Sequence, residues 1–211
     1  MAEKKYSTNA EILMRPQGEI SRVKSLTLAK ALFPDEEWLS IDVNIWAAKS
    51  RLLQKRLEPE KWEKEMSQVR ILTTRGSVAY FLPERRIQGV KGNNVADLVL
   101  NGEVVEMKTV SGTRTTLGGK FRYGYRQGEL LLKNCEITKK HSVFIRLLSD
   151  IPIESVKAKI AGELKNRKGE GSFICYFEII GELHTWTYAE LLAITGTGNF
   201  DVCKKNPPVL Q

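Results

Sequence analysis

The sequence predicts an α+β (α/β) protein in which helices flank a mixed central β-sheet, preceded by a helical N-terminal region. Two observations lead to this class. Apolar residues recur at helical spacing up to about residue 75, and beyond it short apolar runs bounded by turn residues alternate with helical segments. A mixture of both patterns within one chain is typical of a sheet covered by helices.

Three helices are predicted in the first part of the chain. Their limits are residues 21–33, about 42–57, and 59–74. Asp42 is the expected N-cap of the second helix, Pro59 opens the third, and Gly76 closes it. Proline is favoured in the first turn of a helix and glycine just beyond its end.

Strands and helices alternate in the remaining chain. The predicted strands are residues 77–82, 95–100, 103–110, 141–148, 172–180 and 183–186. The predicted helices are residues 121–134, 153–167 and 188–194, and residues 111–119 are predicted to be a glycine- and threonine-rich loop. The predicted organisation is a helical N-terminal region (1–60), an α/β domain (61–200) and a tail (201–211).

The net charge of +8 and the isoelectric point near 9.4 favour a polyanionic partner. No apolar run is long enough for a transmembrane helix, so no membrane partner is expected. The cysteines, Cys135, Cys175 and Cys203, are odd in number and far apart, which argues against a disulfide framework and a zinc site. Two histidines argue against Ser-His and Cys-His catalysis.

Asn101-Gly102 lies between two apolar runs and predicts a two-residue hairpin turn, because both turn residues need a positive φ. Such a turn fixes the strand register so that Asp97 directly faces Glu106. Opposed residues project from one face of a sheet, and Lys108 shares that face because side chains alternate along a strand. The sequence therefore predicts two carboxylates with Cβ atoms about 5 Å apart, beside an ammonium group.

Opposed carboxylates repel each other, and a hard divalent cation removes that repulsion. We therefore predict that Asp97 and Glu106 bind Mg²⁺ or Mn²⁺. Such a metal would activate water and stabilise charge on a phosphorus atom, while Lys108 positions or deprotonates the water or holds the phosphate. The alternative interpretation is a surface hairpin on which the three charges form a weak salt-bridge cluster.

Asp97, followed after a hairpin by Glu106-Met107-Lys108, resembles the core motif of the PD-(D/E)xK nuclease superfamily, with Ala96 in the usual proline position. Residues 62–148 are similar, more narrowly, to the C-terminal tRNA nuclease domains of CdiA-type toxins from contact-dependent growth inhibition systems. The resemblance implies a restriction-endonuclease-like core and a metal-dependent tRNA nuclease toxin. It also implies an acidic immunity protein as partner and the cytoplasm as the site of action.

The same resemblance points to two further catalytic candidates. Glu65, on a predicted helix, matches a glutamate of the toxin domains, and Gln127 lies about where related nucleases have a substrate- or metal-site glutamine. For Glu65 the alternative is a solvated helix face beside Glu63 and Lys64.

The segment between Lys108 and Gly128 contains no acidic residue. Its cations and aromatic residues suit phosphates and unpaired bases. The substrate-binding candidates are Arg114, Lys120, Arg122, Tyr125 and Arg126. The alternative for Tyr125 is that it forms, with Phe121 four residues earlier, the buried side of a helix.

Three functions remain open from the sequence. The preferred one is a metal-dependent endoribonuclease acting on structured RNA such as tRNA, where the choice of RNA rests on the resemblance alone. The second is a DNA endonuclease of the same fold, since both nucleic acids present the same phosphodiester. The third is a non-catalytic nucleic-acid-binding module with a purely structural hairpin.

Overall fold

The structure, a computed structural model, describes residues 17–55, 57–84, 96–167 and 170–196. The helices among these residues are α1 (Gln17–Leu32), α2 (Lys49–Lys55), α3 (Pro59–Thr73), α4 (Arg114–Asn134), α5 (Ile153–Leu164) and α6 (Tyr188–Gly196). The strands are β1 (Trp38–Asp42), β2 (Ile45–Ala48), β3 (Ala79–Phe81), β4 (Leu98–Leu100), β5 (Glu103–Val110), β6 (His141–Leu147), β7 (Ser172–Phe177) and β8 (Glu182–Thr187).

The strands form one eight-stranded sheet, and they lie side by side in the order of the sequence. The sheet is mixed: β2–β3, β5–β6 and β6–β7 are parallel pairs, and the other neighbours are antiparallel. Each parallel pair is connected through helices, as parallel neighbours require. The predicted class, a mixed sheet flanked by helices, is confirmed.

Helices cover both faces of the sheet. On one face α3 packs through Trp62 and Met66 against Val105 of β5. On the other face α4 and α5 pack through Phe121 and Ile160 against β6 and β7, and α1 packs beside them. Both faces of the central strands are therefore buried, which explains their continuous apolar runs.

The part of the chain up to residue 60 is not entirely helical, contrary to the prediction. β1 and β2 lie within it, and Asp42 ends β1 instead of capping a helix. Asn44 turns the chain between the two strands with a φ of 58°. β2 is held by pairing with β3, a contact between distant segments that local apolar spacing does not reveal.

The prediction of a loop at residues 111–119 is also wrong from residue 114 onward, because α4 begins at Arg114. The side chain of Thr113 caps the helix by accepting a hydrogen bond from the backbone N–H of Thr116. Gly118 lies in this first part of α4 where the side chains of Lys159 and Glu163 from α5 approach it. Gly118 is thus a packing position, whereas a Cβ atom on Gly119 would meet nothing within 4 Å.

Gly124 and Gly128 are one helical turn apart on the sheet-facing side of α4. A Cβ atom on Gly124 would lie 3.1 Å from Val143 Cγ1 and 3.2 Å from Glu106 Cγ. A Cβ atom on Gly128 would lie 3.1 Å from His141 Cβ. The two glycines therefore let α4 lie directly on β5 and β6, above Glu106.

None of the helices in the described ranges has the length and apolar character needed to cross a bilayer.

Candidate functional site

A cleft of about 640 Å³ opens where β5 continues beyond β4, between α3 and α4. Its lining residues are Lys61, Lys64, Glu65, Gln68, Glu84, Asp97, Glu106, Met107, Lys108, Thr109, Lys120, Arg146 and Leu148. The hairpin candidates Asp97, Glu106 and Lys108 all lie in it, together with Glu65 and Lys120. The structure therefore brings five predicted site residues to one concave surface.

The hairpin has the predicted geometry. Asn101 and Gly102 have φ values of 50° and 87°, and the ladder pairs Leu98 with Val105. Asp97 lies one residue before β4, and its Oδ2 atom accepts a 2.7 Å hydrogen bond from the backbone N–H of Met107. The Asp97 carboxylate is thereby fixed beside the edge of β5 at the point where β4 begins.

Glu106 is a carboxyl group buried at the base of the cleft, with only 1% of the residue exposed. Burial raises the pKa of Glu106 well above its usual range, and the negative charge of Asp97 raises it further. The ion pair with Lys108 lowers it, and a side-chain hydrogen bond between Glu106 and Asp97 raises it. The Oε2 atom of Glu106 is buried and receives no hydrogen bond from an N–H or O–H donor among the described residues.

Lys108 links the carboxylates to the rim of the cleft. Its Nζ atom forms an ion pair with Glu106 Oε1, as expected for residues on one face of β5. The same Nζ atom lies 5.2 Å from the centre of the Tyr123 ring, a cation–π contact. The ammonium group therefore lies between the buried carboxyl and an aromatic ring on α4.

Glu65 lies on α3 and is held by a buried guanidinium. Arg51 of α2, which is 3% exposed, places Nη2 2.6 Å from Glu65 Oε2 and Nη1 2.5 Å from Glu84 Oε1. Burial raises the pKa of Glu65, Arg51 opposes that increase, and Asp97 adds to it. Glu65 is therefore close enough to Asp97 for their charges to interact, and the region before residue 60 contributes Arg51 to the site.

The donor set of the cleft fits a hard divalent cation. Besides Glu106 Oε2, the buried Oε1 atom of Gln68 has no hydrogen-bond partner in the described part of the chain. Gln68 is held in place by its Nε2 atom, which donates a 3.0 Å hydrogen bond to Thr109 Oγ1. Carboxylate and amide oxygens are ligands of hard cations, so Asp97 and Glu106, with Gln68 nearby, are the residues suited to hold Mg²⁺ or Mn²⁺.

Across the four described ranges, no group of three or more His, Cys, Asp and Glu side chains is arranged to hold a metal. A site of two carboxylates is what remains, and Mg²⁺ typically uses one or two carboxylates together with waters and substrate oxygens.

No protein-family model matches the chain, and no curated protein or solved structure matches it. The geometry is therefore the basis for assigning a function.

Tyr125 is a correction to the predicted substrate-binding set, because it is 1% exposed and cannot reach a ligand in the cleft. Its ring packs against His141 and Tyr188, with ring centres 4.5 Å and 5.6 Å away. The buried-face alternative is confirmed for Tyr125 and for Phe121, which is fully buried. The exposed aromatic residue of α4 is instead Tyr123, which does not line the cleft itself but contacts the lining residue Lys108.

The remaining predicted residues lie away from the cleft lining. Arg122 points toward α5, where its Nε atom is 3.4 Å from Glu163 Oε2. Arg114 and Arg126 are exposed on α4 and are not among the lining residues. Gln127 is 5% exposed and belongs to the helical stripe that begins with Lys120, but it does not line the cleft.

Four residues of α3 line the cleft, and only Glu65 among them was predicted from the sequence. Lys61, Lys64, Glu65 and Gln68 are spaced by three, one and three residues, so they share one face of a helix. Their spacing could have identified the other three, since the helix was predicted and Glu65 on it was already a candidate. Arg146 gave no local signal: it reaches the cleft because β6 pairs with β5 and sets Arg146 opposite Thr109.

Proposed function

We propose that the protein is a metal-dependent nuclease with a PD-(D/E)xK core, cleaving RNA, with tRNA as the substrate, as a toxin domain. The observation that supports this most directly is the placement of Asp97 beside the buried Glu106, at the base of a cleft whose lining includes four lysines. The Oε2 atom of Glu106 receives no hydrogen bond from an N–H or O–H donor in the described part of the chain. A buried carboxyl group beside a second carboxylate is costly for a structural hairpin. A metal-binding role accounts for that cost.

The rim of the cleft supplies the charge that a phosphodiester needs. Lys64 and Lys120 line the cleft from α3 and α4, whereas the Nζ atom of Lys61 is paired with Glu84 Oε1 at 2.7 Å. The ammonium groups of Lys64 and Lys120 bind phosphate oxygens without regard to base sequence. When bound, a divalent cation supplies activation of water and stabilisation of charge at phosphorus.

Lys108 is the residue assigned to the attacking water or the scissile phosphate. Its Nζ atom forms an ion pair with Glu106, and this atom lies on the side of the cleft that faces α4. Asp97 is oriented by the Met107 N–H, which holds its carboxylate beside Glu106 in the position of a metal ligand. RNA and the toxin role come from the sequence resemblance, because RNA and DNA present the same phosphodiester to these groups.

Incubation with total tRNA and with supercoiled plasmid, in Mg²⁺, Mn²⁺ or chelator, tests the proposal. Metal-dependent cleavage of tRNA is the expected result, together with a higher melting temperature in Mg²⁺ than in chelator. Cleavage of plasmid alone would make the protein a DNA endonuclease. Binding without cleavage in either metal would leave a binding module and overturn the nuclease assignment.

Replacement of Lys120 by alanine is expected to weaken binding to nucleic acid and to reduce the slope of log K against log salt by about 0.7 to 0.9, the contribution of one phosphate contact. Titrations at several salt concentrations measure both effects. The matched control is Lys133→Ala, since Lys133 is exposed near the end of the same helix. Thirteen residues of helix separate the two lysines, about 20 Å along the axis, so the control should behave as wild type. Equal effects of both variants would remove Lys120 from the interface.

A further inference from the structure

Tyr123 has an exposed ring at the edge of the cleft. The residue is 47% exposed, whereas Phe121 and Tyr125 on the same helix are buried. Among the described residues Tyr123 is the one aromatic side chain in the exposed group of large hydrophobic residues. Tyrosine is enriched at interfaces, because it presents a large apolar ring and a polar hydroxyl group to a ligand.

Two contacts fix the position of this ring relative to the carboxylates. Lys108 Nζ lies 5.2 Å from the ring centre, and the same atom pairs with Glu106. Tyr123 is also three residues after Lys120, so both side chains project from one side of α4. The ring is therefore next to the place where a phosphodiester would contact Lys108 and Lys120.

The size of the cleft suits one nucleotide of a substrate. A volume of about 640 Å³ between two helices is in the range that encloses a ligand of small-molecule size. A single phosphodiester with an adjacent splayed base fits such a space. Aromatic side chains stack on unpaired bases because every base presents a π-face.

We propose that Tyr123 stacks on an unpaired base adjacent to the phosphodiester held in the cleft, so that the substrate is single-stranded or locally unpaired nucleic acid. This inference rests on the proposed nuclease function. Lys108 contacts the ring on the side of the carboxylates, and the exposed part of the ring receives the base. Tyr123 is then the residue that selects unpaired segments over continuous duplex.

The test uses short oligonucleotides with 2-aminopurine at one position, as RNA and as DNA, each single-stranded and as a blunt duplex. Wild-type protein is expected to quench 2-aminopurine in the single strands and to cleave them in preference to the duplexes. Tyr123→Leu is expected to lose the quenching and to bind single strands about tenfold more weakly, the size of one stacking contact. Tyr123→Phe keeps the ring and should keep both properties.

The outcomes separate this inference from the proposed function. Metal-dependent cleavage of single strands and duplexes at equal rates, with Tyr123→Leu binding as wild type does, overturns the stacking role alone. A lower kcat with unchanged binding in Tyr123→Leu also overturns it, because the ring would then only hold Lys108. If total tRNA is cleaved in Mg²⁺ or Mn²⁺ but no single-stranded oligonucleotide is bound or cleaved, the stacking role alone is overturned; if tRNA and plasmid also stay uncleaved, both proposals are overturned.

Discussion

Replacing Asp97 with asparagine or Glu106 with glutamine is expected to reduce cleavage about a thousandfold or more, because each change removes a carboxylate that holds the metal. A metal supplies several kcal/mol of transition-state stabilisation, and each 1.4 kcal/mol is a factor of about ten in rate. Cleavage rates at saturating Mg²⁺, measured on the substrate that the wild-type protein cleaves, test this.

The same variants should stay folded, with nearly wild-type stability, when metal is absent. The Asp97 charge opposes ionisation of the buried Glu106, so removing either carboxylate relieves a repulsion in the folded state. We expect melting temperatures in chelator within about 3 °C of wild type or above it, which corresponds to less than about 1 kcal/mol for a domain of this size. The rise in melting temperature on adding Mg²⁺ should disappear.

Glu129→Gln is the control for charge alone, since Glu129 is an exposed carboxylate of α4 that does not line the cleft. It should retain wild-type cleavage and the Mg²⁺-dependent stabilisation. If Asp97→Asn or Glu106→Gln cleaves within tenfold of wild type, these carboxylates are not metal ligands of the reaction.

The second large effect is a loss of stability in acid through His141. The residue is 5% exposed, its Nε2 atom has no hydrogen-bond partner among the described residues, and burial lowers the pKa of His141 to about 4. The unfolded chain has a histidine pKa of about 6.5, so below that pH the unfolded state binds the proton more readily than the folded state. The contribution of His141 to the free energy of unfolding should therefore be constant above about pH 6.5 and fall as the pH decreases toward 4.

The expected loss is about 2 kcal/mol between pH 7 and pH 5, from the difference between the two pKa values. Urea unfolding at the two pH values measures it, with wild type compared with His141→Gln. Whatever the overall stability of the variant, its loss of unfolding free energy between pH 7 and pH 5 should be smaller than that of wild type by about this amount. His184→Gln, at a half-exposed position on β8, should keep the wild-type change. An equal pH dependence in His141→Gln would show that His141 titrates normally.

Local chemistry in the sequence was sufficient for the hairpin. Asn101-Gly102 tolerates positive φ at both residues, so the turn type and the pairing of β4 with β5 follow from those two residues. Side-chain alternation then places Lys108 beside Glu106, and the ion pair agrees with it. The central strands were also predictable, because buried strands have continuous apolar runs.

Contacts between distant segments decided the rest. Periodicity suggested a helix through Ile45–Ala48, yet pairing with β3 makes this segment a strand, since sheet pairing overrides a local preference. Arg51 reaches Glu65 only because α2 follows that strand. The sequence left two interpretations of Tyr125 open, a substrate contact and the buried side of a helix with Phe121, and the packing of α4 on the sheet decided for the second.

The sequence by itself determined the mixed α/β class and the meeting of Asp97, Glu106 and Lys108, because turn geometry and strand alternation are set by adjacent residues. Only the tertiary structure decided which side of α4 is buried. Gly124 and Gly128 allow the helix to lie directly on β5 and β6, so Tyr125 is buried against His141 and Tyr123 is left at the rim. Close approach between a helix and a sheet depends on the shapes of both surfaces, so the residues of the helix alone do not determine it.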